Sequence, residues 1–236
     1  MQQLQMTTAW VRNVRFAGLL YLVIIVAGLS AELLLRGPLI DLEDANATAT
    51  AILSAPGKFR LAVAADLVMA VCDAGLAILL YLIFRSTAPE LALGAMVFRL
   101  IQTVLIAVSL MGLLTGWLLV SRADMLADAP TLALVFFELH THGYDLGLVF
   151  FGINSLIMGA LIWRSGLFAR VFGVGLVIAG LVYLVGSSLR VFAPELASAF
   201  TPAYALTIVA EAAFCLRLLL QSGASHKVSQ WRKIAP

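Results

Sequence analysis

Residues 61–84 read LAVAADLVMAVCDAGLAILLYLIF, and this stretch decides the fold class. A helix crossing the hydrocarbon core of a bilayer needs about 20 predominantly apolar residues. The stretch meets that length and carries only two charges, Asp66 and Asp73. Working outward, the same pattern recurs at Phe16 to Leu35, Leu91 to Val120, His142 to Trp163, Phe168 to Leu189 and Pro202 to Leu220, and the fourth stretch extends backward as a helix from Thr131. The expectation is an all-α protein, a polytopic transmembrane helical bundle of about six spans. Residues 16–221 form one bundle domain, preceded by a short segment (1–15) and followed by a basic tail (222–236).

Composition agrees. The hydrophobic fraction is 62%, the charged fraction 12% and the mean hydropathy +1.03, whereas a soluble domain carries about 25% charge. A net charge of +2 is too small to argue for nucleic acid as a partner. Cys72 and Cys215 lie inside apolar spans and form no close pair, which speaks against a disulfide framework or a zinc knuckle. Arg12 and Arg15 before the first span, with Gly28-Leu29-Ser30-Ala31 inside it, also fit a signal peptide. The apolar run continues through Leu33, Leu34 and Leu35, which favours an uncleaved helix.

Orientation follows from the basic residues near the span ends. With six spans, Arg12, Arg15, Arg85, Arg164, Arg170, Lys227, Arg232 and Lys233 share one side. Arg36, Lys58, Arg60, Arg122 and Arg190 share the other, mixed with most of the loop acids. The richer side is expected to be cytoplasmic, and with it both termini. The tail, Ser222 to Pro236, is expected to rest on anionic lipid or to be disordered. Two loops are longer than the rest. The one from Arg36 to Arg60 holds Pro38, the acids Asp41, Glu43 and Asp44, and an alanine-rich segment suited to a short surface helix; the other runs from Ser121 to Pro130 and holds Asp124 and Asp128. Gly112 with Gly116, and Gly143 with Gly147, have the GxxxG spacing that lets helices approach closely. Such faces serve packing within the bundle or oligomerisation between copies.

Charges inside spans are costly, roughly 2.5 to 3.5 kcal/mol each at mid-bilayer, so they must face a partner or water. The candidate ligand-binding residues are Glu32, Asp66, Asp73, Arg99, Gln102, His140, Tyr144, Asp145 and Glu211. Asp66 and Asp73 are seven apart and share a helix face. The second and third spans are joined by a tight connection and should lie antiparallel and adjacent, so an Asp73–Arg99 ion pair is expected near the midplane. Glu138, His142 and Asp145 also share a face, and a histidine with carboxylates at that spacing can relay a proton or help to hold a metal. Glu32, Asp66 and Asp145 lie toward the outer ends of three different spans with His140 beside them, which predicts a shared polar pocket there, with Asp73, Gln102 and Glu211 below it.

Several short strings resemble a known family: Ala31-Glu32-Leu33, Ala65-Asp66-Leu67, Cys72-Asp73, Phe98-Arg99-Leu100-Ile101-Gln102, Arg164-Ser165-Gly166, Val177-Ile178-Ala179-Gly180-Leu181, and above all Gly143-Tyr144-Asp145-Leu146-Gly147-Leu148-Val149-Phe150-Phe151-Gly152. Together they look like the bacterial membrane family called domain of unknown function 4386, over about Arg15 to Leu220. The resemblance implies a polytopic helical protein of the bacterial inner membrane and brings no established activity. It matches His140 to the family's histidine and places His142 where other residues are expected.

Three classes of function remain. The first is a non-catalytic protein binding a small or lipid-like ligand among membrane lipids, to sense or move it. The second is an intramembrane metal-assisted hydrolase using His140, Asp66 and Asp145, although no residue set names a catalytic group, a metal or a cofactor. The third is a structural or regulatory subunit of a membrane complex, using its GxxxG faces and basic tail.

Overall fold

The computed structural model describes residues 2–122 and 128–221, with side chains from residue 8 onward. The basic tail (222–236), His226 and Asp124 lie outside the described residues. The described chain is helical with no strand: α1 (Gln2–Leu29), α2 (Ala45–Ser54), α3 (Pro56–Phe84), α4 (Pro89–Val120), α5 (Ala129–Ser165), α6 (Arg170–Phe192), α7 (Pro194–Phe200) and α8 (Tyr204–Leu219). Among the described residues, six helical segments are long and apolar enough to cross a membrane: Thr8–Leu39, Pro56–Phe84, Pro89–Val120, Ala129–Ser165, Arg170–Phe192 and Pro194–Leu219. The chain is therefore a multi-pass membrane protein with the expected all-α bundle.

Residue chemistry sets the helix ends. Pro56, Pro89 and Pro194 each open a helix in its first turn, where a missing N–H costs nothing. Gly166 closes α5 in the left-handed conformation at φ 61°, which glycine adopts without steric cost. The expected surface helix is α2. Asp44 caps it by accepting from the Ala47 amide at 2.9 Å, and the Thr48 hydroxyl ties it to the Asp41 backbone. The fourth span is one unbroken helix from Ala129, 37 residues long, or about 55 Å at 1.5 Å per residue. Beyond Leu29 the first helix widens into a π-helical stretch, Ser30–Arg36, closed by a bond from the Gly37 amide to the Glu32 carbonyl. A β-carbon at Gly37 would stand 2.6 Å from that carbonyl oxygen, so the turn requires glycine there.

The six long helices form a closed ring, each packed on its neighbours in the order α1, α3, α4, α5, α6, α8 and back to α1. Glycines make two of the seams. Gly112 faces the Phe136 carbonyl, and Gly116 faces the Phe137 ring, while Gly143 and Gly147 face Ser109 and Ile106, all between α4 and α5. Gly152 with Gly180, and Gly159 with Gly173, meet backbone to backbone between α5 and α6. Both GxxxG faces are thus covered within the chain. The half of the bundle near the termini is filled by an aromatic core around Phe84, Phe168 and Phe214, with ring centroids 5.9 Å and 5.5 Å apart. In the other half, Phe59, Leu113 and Phe137 pack beneath α2 on the α3–α4–α5 side. The cavity lies in that same half and is lined by all six long helices.

Candidate functional site

The cavity measures about 570 Å³, within the usual range for a small-molecule site. Its floor is the expected Asp73–Arg99 pair. Arg99 Nε donates to Asp73 Oδ1 at 2.7 Å, and the Thr103 hydroxyl donates to Oδ2 at 2.8 Å. The Arg99 guanidinium lies over the Tyr21 and Phe151 rings, 5.3 and 5.0 Å from their centroids. Charge, hydrogen bonds and two ring faces thus compensate a guanidinium that is 2% exposed, as burial demands. Beside it, Glu211 accepts from the Tyr21 hydroxyl at 3.1 Å and from the Tyr183 hydroxyl at 2.5 Å. Gln102 lines the same floor, buried, and its Oε1 makes no hydrogen bond.

The acids nearer the loop end are arranged differently from the expected carboxylate-lined pocket. Arg36 bonds both Asp66 and Glu32, and it is Arg36 and Glu32 that face the cavity, with Asp66 behind them. Asp145 accepts from Arg190 at 2.9 Å, and Arg190 lines the cavity in its place, over the Tyr204 ring. Of the expected residues, Glu32, Asp73, Arg99, Gln102, His140, Tyr144 and Glu211 line the cavity; Asp66 and Asp145 stand one layer back. The wall therefore presents the guanidiniums of Arg36 and Arg190 where the carboxylates of Asp66 and Asp145 were expected. The physical reason is compensation: Asp66 and Asp145 are each 1% exposed, and a buried charge without a partner is heavily penalised.

In the sequence Arg36 and Arg190 are charges near span ends, and no spacing sets Tyr21, Tyr183 or Tyr204 apart from other span residues. The one local signal was the i, i+4 spacing of Glu32 and Arg36. The Arg190–Asp145 contact joins residues 45 apart and leaves no trace in spacing.

His140 is buried, its Nδ1 3.1 Å from both the hydroxyl and the carbonyl of Ser109. The Ser109 hydroxyl donates to the Ile106 carbonyl, so the network assigns the hydrogen to Nδ1 and leaves Nε2 as the ring's acceptor. Glu138 and His142 are exposed while Asp145 is buried against Arg190, so the expected metal or relay face is split. Among the described residues no group of three or more His, Cys, Asp or Glu is placed to hold a metal ion. The set Asp66, His140 and Asp145 fails for the same reason: each is engaged by a different partner. Cys72 and Cys215 are free thiols.

On the side of the first helix and α8 the upper wall is largely apolar. Contacts between α1 and α8 gather in the half near the termini, where Gly18 meets Leu219, Cys215 meets the Gly18 carbonyl, and Tyr21 meets Phe214 and Glu211. Beyond Tyr21 both helices line the cavity, through Ile24, Ile25 and Leu29 of α1, Leu33 of the π-helical stretch that continues it, and Thr207 and Ile208 of α8. Leu33 and Ile208 are 62% and 42% exposed, so these side chains face the cavity and the outside of the bundle together.

The domain of unknown function DUF4386 matches residues 16–221. The chain belongs to this family. The match covers every cavity-lining residue and stops where the described chain ends, at Gln221. No curated protein and no solved structure matches the chain.

Proposed function

We propose that this DUF4386 chain is a non-catalytic protein of the bacterial inner membrane that binds a small, lipid-like amphiphile in the cavity, either to sense it or to move it. One observation carries the reading: above a polar, charged floor, the cavity wall combines a charged rim (Glu32, Arg36, Arg190) with apolar side chains of the first helix and α8, Leu33 and Ile208, that are also exposed on the outside of the bundle. A soluble polar metabolite has no use for the apolar lip, and a simple hydrocarbon has none for the floor. An amphiphile uses both, its head on the Arg99 network and its tail among Leu29, Leu33 and Ile208. Ligand sites between bundle helices have this mixed character. The basic residues at the end of the bundle that carries the termini argue for a cytoplasmic location of that end, which turns the cavity toward the outer leaflet.

The hydrolase alternative has lost its ligand set, since Asp66 and Asp145 are bound to arginines and His140 to Ser109. The subunit alternative has lost the GxxxG faces as docking surfaces, because α4 and α5 cover them mutually.

The test is solvent extraction of the purified full chain followed by mass spectrometry. An amphiphile should be recovered at about one per chain, and it should be depleted in Ile208→Trp and Leu33→Trp variants. Both positions are exposed, so the added rings narrow the opening without disturbing the core. Equal recovery from wild type and both variants, at the level of bulk lipid, would refute binding in the cavity.

A further inference from the structure

An amphiphile in this cavity needs a polar head, and the charges on the wall select its sign. Each of the three lining guanidiniums is already bound to a carboxylate: Arg36 to Asp66 and Glu32, Arg99 to Asp73, Arg190 to Asp145. Glu211 differs from the other acids. It lines the cavity, is 7% exposed, and forms no ion pair among the described residues. Its two oxygens take hydrogen bonds from the hydroxyls of Tyr21 and Tyr183. These are neutral donors, so they orient the carboxylate without cancelling its charge, and the guanidinium beside it, Arg99, is shared with Asp73. A buried carboxylate of this kind calls for a cation.

A second observation points the same way independently. Gln102 is 7% exposed and lines the same floor, and its Oε1 is an acceptor with no donor. A partnerless buried acceptor is costly and is relieved by an N–H or O–H brought in by a ligand. The Phe151 and Tyr183 rings, centroids 5.1 Å apart, add aromatic surface of the kind that favours cations.

We infer that the cavity selects an amphiphile with a primary ammonium head, and that Glu211 is its counter-ion. This rests on the amphiphile-binding reading above and adds the chemistry of the head. An ammonium group carries three N–H donors and no acceptor. One donor answers Glu211, another answers Gln102, and the charge answers the surplus carboxylate. An anionic head would instead meet Glu211 with like sign and find the guanidiniums engaged. A trimethylammonium head would supply charge but no N–H for Gln102.

The test uses the full chain in phosphatidylcholine nanodiscs, with binding followed by native mass spectrometry and by the shift in melting temperature. The probes are tetradecylamine, tetradecyltrimethylammonium, tetradecyl phosphate and butylamine. Tetradecylamine should bind once per chain and more tightly than the trimethyl compound or the phosphate. Glu211→Gln should weaken the amine by about tenfold or more, the worth of a charge-assisted hydrogen bond, while the phosphate, freed of a like charge, should bind no more weakly than before. Gln102→Leu removes the acceptor without touching a charge, so it reads the same site if the Glu211 variant fails to fold. It should weaken the amine several-fold. Binding of the phosphate as tight as that of the amine, or an amine affinity indifferent to both variants, overturns the ammonium assignment and leaves amphiphile binding standing. Butylamine binding as tightly as tetradecylamine does the opposite, sparing the ammonium site and overturning the need for a tail. Binding of no probe overturns both.

Discussion

Asp73 and Arg99 show how a bilayer makes two charged residues interdependent. Each is almost fully buried, and each is the other's main compensation. Removing one leaves an unpaired charge in a low-dielectric interior, a loss of about 3–5 kcal/mol. Asp73→Asn and Arg99→Met should therefore each lower the melting temperature of the detergent-solubilised protein, and the double substitution should recover much of the loss. Strictly additive single effects in the double-mutant cycle would mean the two residues do not interact. This pair was legible in the sequence, because a tight connection makes α3 and α4 neighbours and 1.5 Å per residue places both side chains near one depth. The cover on Asp66 and Asp145 was not legible. Arg36 comes from the far end of α1 and Arg190 from the far end of α6, and no local pattern says which rim charge turns inward.

Glycines decide how closely the helices can approach. Where Gly152 meets Gly180 and Gly159 meets Gly173, each glycine stands against the carbonyl of the other, and a β-carbon would lie 2.7–2.9 Å from backbone oxygen. Backbone cannot yield as a flexible side-chain end can, so α5 and α6 must separate. Gly180→Val should destabilise the bundle by about 1–3 kcal/mol and lower the melting temperature. Gly57→Ala, where an added β-carbon meets nothing within 4 Å, should leave it unchanged. A Gly180→Val protein as stable as wild type would mean that this seam does not depend on close approach. The α4–α5 seam uses the GxxxG spacing visible in the sequence. The α5–α6 seam pairs glycines far apart in the chain, which spacing alone does not reveal.

The whole molecule divides at mid-depth. Aromatic packing fills the ring in the half that carries the termini, and the other half encloses the cavity among all six long helices. Which half faces the cytoplasm is proposed from charge. Arg12, Arg15, Arg85, Arg164 and Arg170 lie at the terminal end, the side retained by the positive-inside rule. A C-terminal alkaline phosphatase fusion should therefore be inactive, and a fusion inserted near Glu43 should be active. A highly active C-terminal fusion would invert the orientation and turn the cavity to the cytoplasm.

The six spans, their order and the Asp73–Arg99 pair were determined by sequence alone. A span depends on apolar residues summed along one short segment, and adjacent spans on a tight connection, both of which are local quantities. Tertiary structure alone decided that Arg36 and Arg190 cover Asp66 and Asp145, that Tyr21 and Tyr183 hold Glu211, and that the first helix and α8 line a cavity beyond Tyr21. Those outcomes depend on the rotation of each helix about its axis and on contacts between distant segments. Hydropathy is nearly blind to that rotation, because in a membrane an apolar residue satisfies a core position and a lipid-facing position equally well.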